Sequence, residues 1–432
     1  MHGFRDTIFA PATARGRAAV CVIRVSGPRA DVALEALIGE LPELRRASVR
    51  LVRRPTDHEP LDECLVLRFA EAASFTGEAS FELQGHGGAA TVAALLDALA
   101  QVSGLRLAEP GEFTRRAFEA GRLDLPSAEA LADLAMAETE AQRRLALQGL
   151  RGGLTVEVQS WRSRLIRARA LIEATIDFAD EEVPTDVGPE VTELLTSVRA
   201  EMMTALAGAD AAERVREGFE VAIIGAPNAG KSSLLNALSG RDAALTSSLA
   251  GTTRDVIEVR MDLGGLPVTL LDTAGLRESD DQLEIMGMER AKARAEAADL
   301  RVALRAPGDP VMEGLLRPGD VVVWSKADLS QRPGLSVSTV TGQGLKELLD
   351  LVATKLSERA LGAGLVARTR HRQAVMVGAA LVDDALAALA SGRDEIAAES
   401  IRAAGSALES LLGRVDVEEV LDDIFSTFCL GK

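Results

Sequence analysis

The 432-residue sequence predicts a multidomain fold: an N-terminal α+β domain, an all-α helical domain, and an α/β P-loop domain inserted into the helical one. Three observations predict it. The length suits about three domains at roughly 150 residues each. The hydrophobic period changes along the chain, from short alternating strands to recurrences of three and four residues. Residues 225–232 read GAPNAGKS, between an apolar strand and a helical stretch.

Taken in order, residues 1–120 mix alternating strands with two helical stretches, which reads as α+β; Ala18–Val25 is one such strand. From Ser127 the pattern turns helical, and residues 121–217 form the first half of a helical domain. Leu154, Val158, Trp161, Leu165, Ala168 and Ile172 mark one apolar helix face. The stretch 181–189 interrupts it with two prolines and a glycine. Residues 218–360 form the inserted α/β domain. Its segment between Asp299 and Gly319 is short, with a strand at Leu300–Leu304 and a trimmed helix after it. Helix returns from His371 to Phe425 within a second helical half, 361–432, with Leu408, Leu411, Leu412 and Val415 on one face.

GAPNAGKS fits G-x-x-x-x-G-K-[ST] at every fixed position, and its flanks fit as well. Strand Phe219–Ile224 precedes it and Ser233–Leu238 continues as helix. The plain alternative is a tight turn that happens to contain glycines. The functional reading is a loop whose N–H groups, those of Asn228, Ala229, Gly230 and Ser233 among them, cradle phosphates at a helix N-terminus. Lys231 would reach the β- and γ-phosphates and the Ser232 hydroxyl a magnesium ion. Asp272-Thr273-Ala274-Gly275 ends the apolar strand Pro267–Leu271; it suits the magnesium shell and the γ-phosphate. Gly251-Thr252-Thr253-Arg254-Asp255 between them reads as a first switch loop, with Thr253 the second magnesium ligand. Three motifs in this order predict an inserted P-loop GTPase domain.

Base selection departs from the usual Asn-Lys-x-Asp. After Val321–Trp324 come Ser325-Lys326-Ala327-Asp328. The Asp328 oxygens suit guanine N1 and N2, and Lys326 suits the base face. Ser325 shortens or loses the contact to N7, so guanine specificity is expected with reduced affinity. Ser338-Thr339 stands where Ser-Ala is common, in a role that is mostly backbone. Leu276 follows the DxxG motif where a Ras-type enzyme orients water with Gln. An acid of the second switch must serve instead, and Glu278, Asp280, Asp281 and Glu284 are all available; a solvated loop is the plain alternative.

Composition bounds the rest. With 47% hydrophobic residues a core is easily built, and no run of 18 apolar residues occurs. A soluble, cytoplasmic protein is expected. Cys21, Cys64 and Cys429 are scattered, which disfavours a disulfide framework or zinc site. Cys21 and Cys64 read as core. A net charge of −17 does not suggest a nucleic-acid binder. Two arginine clusters, Arg162, Arg164, Arg167 and Arg169, and Arg368, Arg370 and Arg372, read first as solvated helix faces and only second as RNA contacts.

NAGKS, AGTTRD and DTAGLRE together resemble the tRNA-modification GTPases of the MnmE (TrmE) family. The resemblance extends over nearly the whole chain: DTIFAPAT (6–13), Gly16-Arg17 before the first long strand, FTGEASFELQGHGG (75–88), EPGEFTRRAFEAGRLDLPSAEALADL (109–134) and the terminal FCLGK. It implies that Glu284 orients water, with Lys231 the other catalytic residue. It also implies a potassium ion held by Asn228, the carbonyls of Ser247 and Leu249, and Thr252, where an arginine finger would otherwise act. A 5-formyl or 5,10-methylene tetrahydrofolate is implied at Arg24, Glu82 and Arg122, with the carboxyl end of Lys432 reaching the same pocket. Without the resemblance, Arg24 ends a core strand and Glu82 pairs with a neighbour. The family further implies a homodimer formed through the N-terminal domain, a FAD-dependent partner protein of the MnmG type, and modification of the wobble uridine of tRNA. Competing classes are a regulatory ribosome-assembly GTPase without modification chemistry, disfavoured by the folate-like motifs, and a helical scaffold with a degenerate G domain.

Overall fold

The structure is a computed structural model. It describes residues 6–14, 16–177, 187–226, 228–240, 258–272, 293, 296–306, 316–330, 332–413, 421, 424–425, 428 and 431. The chain divides into two compact units, Met1–Ala132 with Leu412–Lys432, and Asp133–Leu411.

The first unit is built on a six-stranded sheet, from β1 (Thr7–Pro11), β2 (Ala18–Ser26), β3 (Ser48–Arg53), β4 (Pro60–Phe69), β5 (Ser80–Gly87) and β6 (Leu105–Leu107). The spatial order is β3-β4-β5-β2-β1-β6, antiparallel throughout except for β1 with β6. Alternation sorts the residues to two faces. Cys21, Ile23 and Val25 of β2, Phe81 and Leu83 of β5, and Cys64 and Val66 of β4 are buried with Leu34 and Leu37 of α1 (Ala30–Ile38) and Leu95 and Leu99 of α2 (Ala89–Ala100). Both cysteines are core, as expected. Burial and the neighbouring Asp62 push the Cys64 thiol up to about 12, so it stays protonated and inert. Two further helices follow, α3 (Glu112–Glu119) and α4 (Leu125–Met136). Phe425 and Phe428 pack with Leu125, Ala128 and Leu421 in a separate small core. Gly431 lies with φ +93 against Pro11, where an added Cβ would come within 2.2 Å of the Pro11 carbonyl.

The second unit begins with α5 (Glu140–Leu150), α6 (Gly153–Asp177), α7 (Gly188–Ala207) and α8 (Ala209–Glu217). A capping box at Thr139 and Gln142 opens α5. The predicted face of α6 is buried at all six positions, Leu154, Val158, Trp161, Leu165, Ala168 and Ile172. The returning helix is two, α11 (Thr369–Ala390) and α12 (Asp394–Leu411), parted at Ser391-Gly392, where Gly392 takes φ +67. Helix α6 packs on α7 and α12, and α11 packs on the same two. Helix α11 is long and apolar enough to cross a membrane by length and composition. Here Val375, Gly378, Ala379, Val382, Ala385 and Ala388 are buried.

Both arginine clusters are tied down within this unit. Arg162 pairs with Glu409, Arg164 with Glu201, Arg167 with Glu190 and Arg169 with Glu173. Arg368 pairs with Asp133 and Arg372 with Asp210, while Arg370 donates to the Leu411 carbonyl. The reading as structural helix faces is the one these contacts favour.

Between α8 and α11 lies the inserted domain, with β7 (Phe219–Gly225), α9 (Lys231–Ser239), β8 (Glu258–Leu263), β9 (Leu266–Asp272), β10 (Leu300–Arg305), β11 (Val321–Trp324) and α10 (Leu345–Ala360). Its sheet runs β11-β10-β7-β9-β8, parallel apart from the edge strand β8. Val221, Ile223, Leu234, Leu238, Leu270, Val302, Val323, Leu348 and Leu356 share one core. A parallel sheet of this kind presents its loops at the carboxyl ends of the strands, which is where ligands bind.

Candidate nucleotide site and N-terminal pocket

The phosphate loop leaves β7 at Gly225. Register sets Gly225 opposite Leu304 of β10, and an added Cβ at 225 would meet the Leu304 carbonyl at 2.5 Å. The first glycine of the motif is therefore demanded by the neighbouring strand. Asn228 takes a left-handed conformation with φ 63, and Gly230, with φ +98, precedes α9. Leu234 N–H donates to the Gly230 carbonyl at 2.8 Å, which closes the first turn. The buried Lys231 ammonium donates to the carbonyls of Gly225 and Ala226, at 2.8 and 3.0 Å. Asn228 and Ser233 are exposed, Ser232 is half-buried and Ala229 is fully buried. Asp272 is buried at the end of β9, which pairs with β7 at Ile223. A hydroxyl and a carboxylate are hard oxygen donors of the kind magnesium takes.

The base loop follows β11. Trp324 N–H donates to the Leu335 carbonyl and its own carbonyl accepts from Val337 N–H, which continues the sheet toward Ser338. Asp328 and Lys326 are exposed, and Lys326 has φ 58. The buried Ser338 hydroxyl donates to Asp328 Oδ1 at 2.6 Å and accepts from the N–H of Val340 and of Thr341. The expectation for the Ser338-Thr339 loop was mainly a backbone role; the Ser338 side chain is instead the brace of Asp328. A hydroxyl can both donate and accept there, and the residue type at 338 is the available signal. Ser325 is buried, with its N–H and Oγ both donating to the Arg305 carbonyl, at 2.8 and 3.1 Å.

Asn228, Ala229 and Gly230 on the phosphate loop, Lys231, Ser232 and Ser233 in the first turn of α9, Asp272 at the end of β9, and Ser325, Lys326 and Asp328 on the base loop thus stand at one edge of one sheet. Ser247, Leu249, Thr252, Thr253, Thr273, Ala274, Gly275, Leu276 and Glu284 lie outside the described residues, as do Cys429 and Lys432 in the first unit.

In the first unit, Arg24 of β2 is the cross-strand partner of Glu82 of β5. Arg24 Nε and Nη2 donate to Glu82 Oε1 at 3.1 and 3.0 Å. The same guanidinium lies 5.8 Å from the ring centres of Phe75 and Phe113. The pair lines a cavity of about 120 Å³ with Ser26, Phe69, Ala73, Phe75, Thr76 and Ser80. Small-molecule sites are usually about 300 Å³ or more, so a pterin would need this pocket to open. Arg122 donates to the Glu71 carbonyl at 3.0 Å, on the loop that carries Ala73 and Phe75. The chemistry of an acid and two arginines fits a pterin with an anionic tail; the present volume does not.

Behind the pocket runs a polar network that sequence reading missed. Ser26 Oγ lies 2.6 Å from Thr76 Oγ1 and donates to Glu78. Glu78 accepts from the buried Arg116, which also donates to Asp6 and Glu112. Arg106 pairs with Asp6 and Glu112 as well. Burial works against ionisation of Glu112, but Arg106, the Glu109 N–H and Arg116 outweigh it and hold its pKa below the ordinary value. Asp6 is lowered too, against its own burial, by Arg106 and Arg116. All these residues except Ser26 and Arg106 sit in the motif runs quoted above, where only their spacing was visible.

A strand–phosphate-loop–helix unit with a braced acidic base loop, on a parallel sheet inserted in a helical domain, defines a P-loop GTPase. Residues 7–122 match the family model for the GTP-binding protein TrmE N-terminus, and residues 125–429 match that for the MnmE helical domain. The chain belongs to the MnmE (TrmE) family of tRNA modification GTPases. It is 56% identical over 430 residues to the tRNA modification GTPase MnmE of Ruegeria pomeroyi, covering 99% of this chain and 100% of that one. The protein of the same name from Roseobacter denitrificans is 53% identical over 429 residues, with the same coverage. Among solved structures, the G domain of the T. maritima FeoB iron transporter is 26% identical, covers 33% of this chain and 98% of that one, and has a TM-score of 0.25.

Proposed function

We propose that this tRNA modification GTPase is potassium-dependent and acts as a homodimer in the cytoplasm. With a FAD-dependent partner of the MnmG type, it modifies C5 of the wobble uridine of tRNA, to a carboxymethylaminomethyl or aminomethyl group, with one carbon from a tetrahydrofolate. The observation that carries the hydrolytic part is Lys231, held by the Gly225 and Ala226 carbonyls of its own loop. On binding GTP, Lys231 exchanges those carbonyls for the β- and γ-phosphates. Ser232 and Thr253 would hold magnesium, with Asp272 in its shell, and the ion would neutralise phosphate charge. Asn228, exposed and left-handed, would offer its amide oxygen to potassium together with the Ser247 and Leu249 carbonyls and Thr252. Glu284 orients the attacking water, since Leu276 has no group to do so.

The dimer reading is supported by the outer face of the first unit's sheet. Val49, Leu65, Gln84 and Val22 form one cross-strand row on the side away from α1 and α2. Val49 and Val20 on that side are 59% and 52% exposed. A second copy is the partner this reading assigns to it. The folate reading rests on Arg24, Glu82 and Arg122: Glu82 would exchange Arg24 for pterin N–H groups, and the arginines would meet the anionic tail.

The deciding experiment is GTP turnover in potassium against sodium. Turnover should be much faster in potassium, and Asn228→Ala should remove the difference. Equal rates in both salts for the parent would sink the cation reading.

A further inference from the structure

Ser325 stands where the usual base motif has Asn, and its one hydroxyl proton faces the Arg305 carbonyl. The N7 and O6 atoms of guanine are acceptors, so a donor must come from another residue. Arg305 is the last residue of β10. Its strand neighbour Leu304 is registered with Gly225 of the phosphate loop, and Arg305 itself with Trp324 at the start of the base loop. It therefore stands between the two loops, at the carboxyl edge of the parallel strands.

The guanidinium is already oriented. Its Cζ lies 4.6 Å from the ring centre of Trp324, and Arg332 lies over the same ring at 5.7 Å. Stacking fixes the plane of an arginine while leaving its N–H edge available to acceptors. Arg301, on the same strand, shows the contrast: its Nε and Nη2 are bonded to Asp320 at 3.0 and 2.6 Å. Among the described residues Arg305 has no carboxylate partner, and its buried Nε has no acceptor. A buried donor without an acceptor is destabilising unless a ligand supplies one.

We propose that Arg305 is a specificity-determining residue that donates to the N7/O6 edge of guanine, in place of the Asn amide absent at 325. The proposal rests on the nucleotide reading above. Asp328 would read the opposite edge, N1 and N2. An arginine on the first edge also rejects adenine, which places an amino donor there.

The test is calorimetric binding of GDP and 7-deaza-GDP to the full chain, for the parent, Arg305→Gln and Arg305→Lys. The parent should bind 7-deaza-GDP at least about tenfold more weakly than GDP, the scale of one lost charge-assisted hydrogen bond. Arg305→Gln should bind both nucleotides equally, at the weaker level. Arg305→Lys keeps a charged donor without the fork and should retain part of the difference, which guards against misfolding of the Gln variant. Equal binding of the two nucleotides by the parent would overturn the proposal, and so would full discrimination surviving in Arg305→Gln. In either case GDP affinity would leave the nucleotide reading standing; a parent that binds no GDP would sink that reading instead.

Discussion

Arg116 draws two of its three carboxylate partners, Asp6 and Glu78, from distant parts of the chain. It lies in the EFTRRAFEAGR run, whose spacing does not show those partners. In the fold it is buried against Asp6, Glu78 and Glu112. Replacing it by Met takes the guanidinium from Glu78 and leaves Asp6 and Glu112 to Arg106, and removing one partner of a buried ion pair costs about 3–5 kcal/mol. Both tryptophans, Trp161 and Trp324, lie in the second unit, so the loss should be read by amide exchange at β2 and β5. Arg116→Met should lower protection there by several kcal/mol; unchanged protection would refute the role given to the network. The same groups set a pH dependence. Asp6 and Glu112 have folded pKa values below their ordinary 3.8 and 4.5. Their contribution is complete above the ordinary values and is lost as pH falls through the lowered ones. Protection of β2 and β5 should therefore decline below about pH 4, and Glu112→Gln should flatten that decline.

Elements were read well where period and punctuation agreed. The six apolar positions of α6, the β7–loop–α9 unit and β11 all stand where spacing put them, because burial of one face enforces those patterns. The long returning helix was read as one because Ser391-Gly392 interrupts it without changing its apolar period. What stayed hidden depends on contacts between distant segments, which spacing does not encode. The hydroxyl of Ser338 on Asp328 is one case. Another is Gly344, at the start of α10, with φ +72 and an added Cβ only 2.0 Å from the Ser336 carbonyl. Alanine at 344 would drive the start of α10 away from residues 336–338 and loosen the brace on Asp328. GDP affinity should fall at least about tenfold, the scale of a lost hydrogen bond to a charged group. Gly342, with φ +79 but nothing within 4 Å, is the control: Gly342→Ala carries backbone strain alone and should leave GDP affinity near the parent's. Equal losses in both variants would show that strain, not the contact, matters.

At the scale of the whole molecule, charge was informative mainly through its distribution. A net −17 coexists with arginine clusters whose members are mostly ion-paired within the helical bundle. The reading of two chemistries in one chain also belongs to this scale. The nucleotide loops and the N-terminal pocket lie in different units, and FCLGK belongs with the pocket's unit. Deleting residues 429–432 should leave GTP hydrolysis intact while abolishing the modified wobble nucleoside, measured by mass spectrometry of tRNA from cells carrying the truncation. Normal modification in those cells would reduce the tail to a packing element.

The seating of Gly431 on Pro11 also has a temporal side. A ribosome releases Pro11 early and Gly431 only after the helical and GTPase segments have been made. The first unit must therefore wait, one wall short, while the second is synthesised and free to fold. Premature termination anywhere beyond the GTPase domain would yield a chain with a complete sheet for nucleotide and an unfinished N-terminal core. Such a product would compete for GTP without supporting modification, and its exposed apolar wall would mark it for chaperones and proteases.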